Sequence, residues 1–595
     1  MLYTGRADRR RGPDMTSLSI SAPSGSRLLR SGFLLPALLV AIVAILVVAP
    51  LLRILFTTLT PEGIAAWKAV LASPLSANLW WRPLLNTMIL GFSVGAGCLL
   101  IGGFLAWLVV LTDVPGRRFL GLMASLPYMI PSFAAALAWG TLFRNSRLGG
   151  SAGFFETSGL AIPDWLAWGL IPTAIVLIAH YYSLAYTIIA AALSSVGADL
   201  VEAGQMAGAK RPRIFFGIIL PVVTPALIAA ASLTFAGAVA NFAAPALLGL
   251  PVRMQTLSTR LFGMIETGQN ERGFVLALLL IAVSALFLWL SDRIVSGRKA
   301  FITVTGKGGR TKRFPLGAWR WPLFAIAVVI GLLTTVLPVL VLAASSLAPQ
   351  SGALFSNWTL HFWIGEGGGE MAQGQAGIFR NPVLIDAIWN TIRLGLVVAF
   401  TTMLLGLALA YTIVQRRGSL LATLLSQLAF LPLLVPSIAF AAAYIALFGA
   451  PIGPLPSLYG TFALLVIAAS AHNLPFAVQS GRSVLGQISA DIEESARLTG
   501  AGLFRRLFAI IFPLAIRGLF AGAILVFVKM VRDLSLVVLL FTATSPVLSM
   551  VAYRYAAEGF MQFANAITLV ILVVCLAASF VAHSLQNRVQ KWKAP

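Results

Sequence analysis

The chain has 595 residues, of which 59% are hydrophobic and only 10% are charged, and its formal net charge is +23. Soluble domains of ordinary composition carry about 25% charged residues, so a water-soluble fold is excluded. Apolar runs long enough to cross about 30 Å of hydrocarbon recur along the whole chain. Because these long runs lack the alternation of barrel strands, and only helices or closed barrels satisfy their backbone in lipid, we predict an all-α integral membrane protein.

The excess of basic residues does not indicate nucleic acid as a partner. Lys and Arg concentrate in the tails and in short loops between the apolar runs, as the positive-inside rule describes. Both termini and the central linker are therefore predicted to be cytoplasmic. The two cysteines, Cys98 and Cys575, lie within apolar runs, so no disulfide framework is expected.

In chain order, six predicted spans are followed by a basic linker and six more spans. The first six lie at 33–56, 84–111, 120–143, 170–194, 217–247 and 274–292, and the second six lie at 321–346, 384–414, 419–448, 460–480, 510–541 and 564–586. The predicted domains are a basic cytoplasmic tail (1–30), a first repeat (31–295), the linker (296–320), a second repeat (321–587) and a cytoplasmic tail (588–595). Six spans return the chain to its starting side, so the pseudo-twofold axis is predicted to run along the membrane normal.

A cytoplasmic loop between the fourth and fifth spans is the clearest repeated feature. Its shared residues lie 292 positions apart (494 − 202, 500 − 208); they are Asp199, Glu202, Ala203 and Gly208 in the first half, and Asp491, Glu494, Ser495 and Gly500 in the second. The acids suit the amino end of a short helix, and the glycines permit a sharp turn after it. Composition alone favours a helix lying on the membrane surface over one docking into another protein.

The third span of each half carries a second repeated feature, a pair of prolines. Pro127 and Pro131 in the first half match Pro432 and Pro436 in the second. We expect these prolines to break or kink the span, and a role in gating stays open beside a purely structural one.

The pattern Glu-Ala-x-x-x-x-Gly, followed about a dozen residues later by Ile-x-Leu-Pro, resembles the E-A-A loop of binding-protein-dependent ABC importer permeases. The resemblance implies that each loop is a coupling helix that sits in a cleft of an ATPase subunit, with the eight loop residues above making the coupling contacts. The second copy departs from the pattern at Ser495. The implied fold is two tandem six-helix type I permease units.

The resemblance also implies partners and location. The partners are two copies of an ABC ATPase subunit, a periplasmic solute-binding protein and membrane lipid, and the location is the bacterial inner membrane. ATP is bound and hydrolysed by the partner subunits, so no catalytic residue, metal site or cofactor is expected on this chain.

The linker segment Thr305–Arg320 and the segments 241–251 and 257–260 resemble the iron(III) branch of these permeases. The implied solute is iron(III), with thiamine and aminoethylphosphonate as alternatives from related branches. A secondary transporter of the major-facilitator type is a distant alternative, because its typical cytoplasmic signature lies between the second and third spans. Here that loop (112–118) is short and lacks the signature.

Ionisable and amide side chains within the spans are candidates for the transport pathway, because burying them in lipid is expensive. The candidates include two pairs that are again 292 positions apart (472 − 180, 533 − 241); they are His180, His472, Asn241, Arg532 and Asp533. We expect the histidines to face each other across the axis. Hydrogen-bonded packing of the histidines, and a structural ion pair between Arg532 and Asp533, stay open as alternatives.

Overall fold

The structure, a computed structural model, describes residues 35–148, 150–296, 313–368, 371–454, 456–502, 505–541 and 544–591. The predicted tail (1–30) and most of the predicted linker (296–320) lie outside these residues. The described part of the chain is helical and contains no β-strand. Ten helices are long and apolar enough to cross a membrane, and two bent helix pairs raise the number of spans to as many as twelve. The predicted all-α membrane fold is confirmed.

The helices of the first half, in chain order, are α1 (Leu35–Thr57), α2 (Pro61–Leu71), α3 (Ala77–Leu111), α4 (Arg117–Met129), α5 (Ser132–Phe143), α6 (Leu170–Ser194), α7 (Ala198–Met206), α8 (Arg211–Ala240), α9 (Ala243–Leu248), α10 (Leu257–Glu266) and α11 (Asn270–Ser296). Those of the second half are α12 (Gly317–Leu347), α13 (Pro382–Gln415), α14 (Leu420–Leu434), α15 (Ser437–Phe448), α16 (Phe462–Leu485), α17 (Ala490–Leu498), α18 (Arg506–Val531), α19 (Val537–Leu540), α20 (Leu548–Ala557) and α21 (Met561–Lys591).

The third span is broken in both halves, as its prolines predict. α4 and α5 meet at 92°, and α14 and α15 meet at 108°. The residues before Pro131 and Pro436 are extended, with ψ of 126° at Ile130 and 120° at Val435. A proline ring disfavours the helical conformation of the residue before it, so each helix ends there.

The fifth spans are shorter than predicted, and the predicted ends at 247 and 541 are wrong. α8 and α18 stop at Ala240 and Val531, and a polar side chain just after each end accepts a backbone N–H of the segment that follows. Asn241 Oδ1 accepts the N–H of Ala244, and Asp533 Oδ1 accepts the N–H of Leu536, each at 3.1 Å. The residues that follow each break are still apolar, so hydropathy does not reveal it.

Five spans in the described residues begin with, or contain, a short π-helical stretch. Each stretch ends two residues before a proline; the pairs are Ala44–Val48 with Pro50, Ala77–Trp81 with Pro83, Phe215–Ile219 with Pro221, Leu332–Val336 with Pro338, and Arg506–Ile511 with Pro513. A proline has no N–H and its ring clashes with the carbonyl four residues earlier, so a locally wider turn accommodates it.

Within each half, the second and fourth spans approach closely through equivalent glycines. A Cβ on Gly102 would lie 2.7 Å from the Tyr182 carbonyl, and a Cβ on Gly406 would lie 2.5 Å from the Ala477 Cβ. Small residues let membrane helices pack backbone to backbone, which is how apolar helices associate in lipid.

The two halves interlock through their first, third and sixth spans. α1 and α11 of the first half pack against α15, and α12 and α21 of the second half pack against α5. One polar contact across this interface is the Tyr444 hydroxyl, which donates to the Leu46 carbonyl at 2.6 Å. Each half therefore covers the broken third span of the other.

Candidate functional site

The two repeated loops form matching nine-residue helices, α7 and α17, which we call the surface helices. The residues predicted to make coupling contacts on them are exposed; these are Asp199, Glu202, Ala203, Gly208, Asp491, Glu494, Ser495 and Gly500. The hydroxyl of Ser489 caps α17 by accepting the N–H of Asp491. Carboxylates in the first turn favour both helices through the helix dipole.

Apolar side chains at equivalent positions of the surface helices are exposed to the same degree. Leu200 and Ile492 are 41% and 42% exposed, and Met206 and Leu498 are both 85% exposed. Both pairs lie 292 positions apart (492 − 200, 498 − 206). An exposed apolar group in the same place on two polar helices is typical of a contact surface for a partner.

Both surface helices end in the same left-handed glycine turn. Gly208 has φ +76° and Gly500 has φ +78°, a conformation that glycine adopts without steric cost. The following N–H groups, of Ala209 and Ala501, bond back to carbonyls of the last helical turn at 3.0 Å. The predicted glycine turns are thus present, and they satisfy helix-end carbonyls.

Glu493, which the sequence reasoning did not single out, is the buried acid of the second surface helix. Its side chain is 6% exposed and bonds to Arg497 and Arg506. The position in the first half (493 − 292 = 201) is Val201, which is also buried. Comparison of the two repeats at each position, rather than of their shared motif, would have found this difference.

Arg532 joins the two halves. Its guanidinium donates to the backbone carbonyl of Tyr128, at the break in the third span of the first half, and lies 4.6 Å from that ring's centre. The Tyr128 ring in turn stacks on His180 with centroids 5.4 Å apart. His180 is buried, and its Nδ1 has no hydrogen-bond partner among the described residues.

His472 makes its contacts within the second half. Its Nε2 shares a 3.0 Å hydrogen bond with the Ser437 hydroxyl, and its ring lies 5.4 Å from that of Phe440. Each predicted pathway histidine therefore packs against the third span of its own half, and a contact between the two is not among those described.

Asn241 and Asp533 occupy equivalent places, each after a fifth span. The Asn241 amide also donates to the Ser132 hydroxyl at 2.9 Å and to the Tyr181 hydroxyl at 3.4 Å. The Arg532 guanidinium donates to Tyr128, the Asp533 carboxylate accepts the N–H of Leu536, and the Asp533 carbonyl accepts the Ser549 hydroxyl at 3.1 Å. An Arg532–Asp533 ion pair is not among the contacts described.

A cavity of about 570 Å³ lies between equivalent helices of the two halves, α10 and α20. Each of these helices follows the fifth span of its half, whereas each surface helix precedes it, so we place the cavity on the side away from the surface helices. We call it the outer cavity; its polar lining residues are Glu266, Tyr459, Tyr553, Arg554 and Glu558. Burial and, to a lesser extent, the nearby charge of Glu266 together raise the pKa of the Tyr553 phenol to about 12. Glu558 lies 3.9 Å from Arg554, which offsets part of that cation's charge. The described residues contain no cluster of three or more His, Cys, Asp or Glu arranged to hold a metal.

Residues 99–299 and 383–592 each match the family described as "Binding-protein-dependent transport system inner membrane component". The "Ferric transport system permease protein FbpB" of Actinobacillus pleuropneumoniae is 25% identical over 509 residues, covering 83% of this chain and 70% of the relative. The "Fe(3+)-transport system permease protein FbpB 2" of Haemophilus influenzae is 24% identical over 545 residues, covering 90% and 95%.

A shorter relative matches only part of this chain. The "Molybdenum transport system permease protein ModB" of Escherichia coli is 29% identical over 201 residues, which are 32% of this chain and 82% of the relative. The family match covers most of the chain in two segments, and those segments contain the repeated surface helices. The chain therefore belongs to the family of binding-protein-dependent transport system inner membrane components, with two copies of the family unit in one polypeptide.

Proposed function

We propose that this chain is the permease of an ABC importer that moves iron(III), delivered by a periplasmic binding protein, into the cytoplasm by alternating access. The observation that carries the proposal is the pair of surface helices, which match in length, in exposed apolar positions and in the glycine turns that end them. A membrane-surface helix would be free to differ between the halves, whereas two identical partner subunits require two similar docking surfaces.

Two copies of an ATPase subunit dock on the surface helices, one on each. Leu200 and Met206 of α7, like Ile492 and Leu498 of α17, enter a groove of the partner, while the acids at the helix starts face its rim. ATP is bound and hydrolysed by those subunits, and this chain supplies no cofactor site or catalytic group.

The surface helices, both termini and the linker lie in the cytoplasm, and the outer cavity opens to the periplasm. This orientation follows the distribution of Lys and Arg among the loops. Highly exposed apolar side chains on the spans, such as Leu100 at 73% and Phe580 at 74%, suit contact with membrane lipid.

Iron(III) as the solute is supported by the printed names of the two long relatives and by the chemistry of the outer cavity. Fe(III) is a hard cation that prefers oxygen ligands. The outer cavity offers the carboxylates of Glu266 and Glu558 and the phenol oxygens of Tyr459 and Tyr553. Solute released from the binding protein enters there and passes between the halves, where His180, His472, Asn241, Arg532 and Asp533 form the buried polar groups nearest the path.

The docking proposal is tested by co-purification of this chain with candidate ABC ATPase subunits. Met206→Asp and Leu498→Asp each place a charge in the proposed groove contact, and each should lower the amount of ATPase recovered. Glu202→Lys and Glu494→Lys should do the same by reversing the charge at the rim. Leu420→Asp is the matched control, since Leu420 is 91% exposed at the start of α14, on the same face but outside both surface helices.

Normal ATPase recovery with both aspartate variants would contradict the docking proposal. Solute identity is tested separately, by uptake into proteoliposomes that contain the complete transporter and its binding protein. Iron(III) should be taken up in an ATP-dependent manner. Uptake of thiamine or aminoethylphosphonate, without uptake of iron(III), would contradict the proposal that iron(III) is the solute.

A further inference from the structure

The second surface helix is fixed to its spans by a buried carboxylate. Glu493 accepts hydrogen bonds from the Tyr411 hydroxyl, the Gln415 amide, Arg497 at 3.0 Å and Arg506 at 3.1 Å. The Glu493 side chain is 6% exposed and that of Arg506 is 13% exposed. An ion pair so far removed from water differs from surface pairs, which contribute little.

The partners of Glu493 come from three different elements. Tyr411 and Gln415 lie in the last turns of α13, the second span of this half, and Arg506 begins α18, the fifth span. Arg497, on the surface helix itself, also donates to the Gln415 side chain at 2.7 Å. One carboxylate therefore ties the surface helix to the cytoplasmic ends of two spans.

The first half has apolar residues at the positions equivalent to Glu493 and to three of its four partners. Glu493 and Arg506 correspond to Val201 and Ile214 (493 − 292, 506 − 292), and Tyr411 and Gln415 correspond to Trp107 and Leu111 (411 − 304, 415 − 304). The offset of 304 is that of the matching second spans (390 − 86). Val201, Ile214 and Leu111 are buried in one apolar cluster, and Trp107 packs against it. The buried carboxylate and these three partners have thus been exchanged together, whereas Arg497, whose side chain is 54% exposed, corresponds to the exposed Gln205 (497 − 292).

The two kinds of anchor differ in their physics. Apolar contacts are non-directional, so small changes of orientation cost a helix held by them less than one held by hydrogen bonds. Hydrogen bonds between Glu493 and four donors have preferred distances and angles, so the orientation of α17 relative to α13 and α18 is set more narrowly.

We propose that Glu493 is a positioning residue that makes the second surface helix a rigid lever, so that the two ATPase docking sites transmit motion unequally. This inference rests on the proposed function, in which both surface helices dock on ATPase subunits. When the ATPases close, α17 moves the ends of the second and fifth spans with it. α7 is connected to the corresponding spans of the first half only through apolar packing, which deforms, so those spans follow its motion less closely.

The key variant grafts the first half's anchor onto the second. It combines Glu493→Val, Arg506→Ile, Tyr411→Trp and Gln415→Leu. Arg497 stays in place, but its side chain is 54% exposed, so no buried charge is left unpaired. The complete transporter, with ATPase subunits and binding protein, is reconstituted in proteoliposomes. ATPase recovery and thermal unfolding should match the unmodified protein, while solute uptake per ATP hydrolysed should fall about fivefold or more, the lower end of typical coupling between sites.

Glu493→Gln provides a second variant, which keeps the size of the side chain, removes its charge and replaces one acceptor oxygen by an NH2 donor. It should lower uptake per ATP in the same direction as the graft, and it decides the matter if the graft does not fold. Glu366→Gln is the matched control, because it removes the exposed Arg380–Glu366 ion pair on the opposite side, and it should change nothing.

Unchanged solute uptake per ATP in a folded graft, or in Glu493→Gln, would overturn the inference. The Glu493–Arg506 ion pair would then contribute only to local packing. That result is distinct from failure of the proposed function, which would appear as an unmodified chain that neither recovers ATPase nor transports solute.

Discussion

Arg532 of the second half donates a hydrogen bond to the backbone carbonyl of Tyr128 in the first half, and its guanidinium lies 4.6 Å from the centre of the Tyr128 ring. Tyr128 sits immediately before the break between α4 and α5. The carbonyl belongs to a turn that the next proline leaves without a helical partner. Arg532 therefore stabilises the broken third span from across the interface between the halves.

Replacement of Arg532 should loosen this interface. Arg532→Ala leaves the Tyr128 carbonyl without its donor, and we expect a loss of about 1–3 kcal/mol in stability. Arg532→Lys keeps the charge but loses the planar stacking over the ring, so a smaller loss is expected. Thermal unfolding in detergent and solute uptake measure the effect.

Arg393→Ala is the matched control for Arg532. Arg393 also lies 4.6 Å over an aromatic ring, that of Phe462, but it is exposed and makes this contact within the second half. The control should change the unfolding temperature little. Equal effects from Arg393→Ala and Arg532→Ala would contradict a special role of the contact between the halves.

The left-handed glycine turns should be needed equally by both surface helices. Gly208→Ala and Gly500→Ala force an alanine to φ near +77°, between the observed +76° and +78°, at a cost of about 1–2 kcal/mol. No neighbouring atom lies within 4 Å of a Cβ at either position, so backbone strain is the only expected cause. Amide hydrogen exchange in α7 and α17 should become faster, and ATPase affinity should fall.

Gly502→Ala separates the strain from the mere addition of a methyl group. Gly502 is just past the second turn, also has open space around its Cβ, and does not have positive φ. Its substitution should leave exchange in α17 unchanged. If amide hydrogen exchange in α17 is no faster in the Gly500→Ala protein than in the unmodified protein, the turn tolerates a side chain.

Apolar periodicity and internal repetition were enough to predict the spans, the breaks at Pro131 and Pro436, and the surface helices. They failed where a single polar side chain decides local structure. Asn241 and Asp533 end the fifth spans by bonding to the next turn, although the segments that follow remain apolar. Glu493 was overlooked because its neighbour Glu494 fits the shared motif, although its position corresponds to the apolar Val201 of the first half. The fold then shows that Glu493 is buried and Glu494 is exposed.

In each half, a hydrogen bond joins the second short helix after the fifth span to the second span. It links α10 to α3 in the first half and α20 to α13 in the second. Thr87 Oγ1 accepts the N–H of Leu257 at 2.9 Å, and Thr391 Oγ1 accepts the N–H of Leu548 at 2.8 Å. All four residues are buried, so loss of the acceptor leaves an unsatisfied N–H. Thr87→Val and Thr391→Val should each destabilise the protein by about 1–3 kcal/mol, measured as a lower unfolding temperature.

Thr224→Val tests whether the lost acceptor is the cause. The Thr224 hydroxyl donates to the Leu220 carbonyl within its own helix, so its removal orphans no backbone N–H. This variant should unfold near the temperature of the unmodified protein. A large effect in only one of the two halves would contradict the equivalence of the two hydrogen bonds.

The outer cavity should set the affinity of the transporter for its solute rather than its maximal rate. Glu266→Gln and Glu558→Gln each remove one carboxylate that faces the cavity, and Tyr553→Phe removes a phenol oxygen. A charge acting over 4 Å through water contributes about 1 kcal/mol. The iron(III) concentration for half-maximal uptake should therefore rise about fivefold with each glutamine variant. ATPase recovery should stay normal because the cavity lies away from the surface helices.

Glu366→Gln removes an exposed carboxylate that does not line the cavity and serves as the control. If the glutamine variants and this control take up iron(III) with the same concentration dependence, the solute does not pass through the outer cavity, even where docking of the ATPases on α7 and α17 is intact.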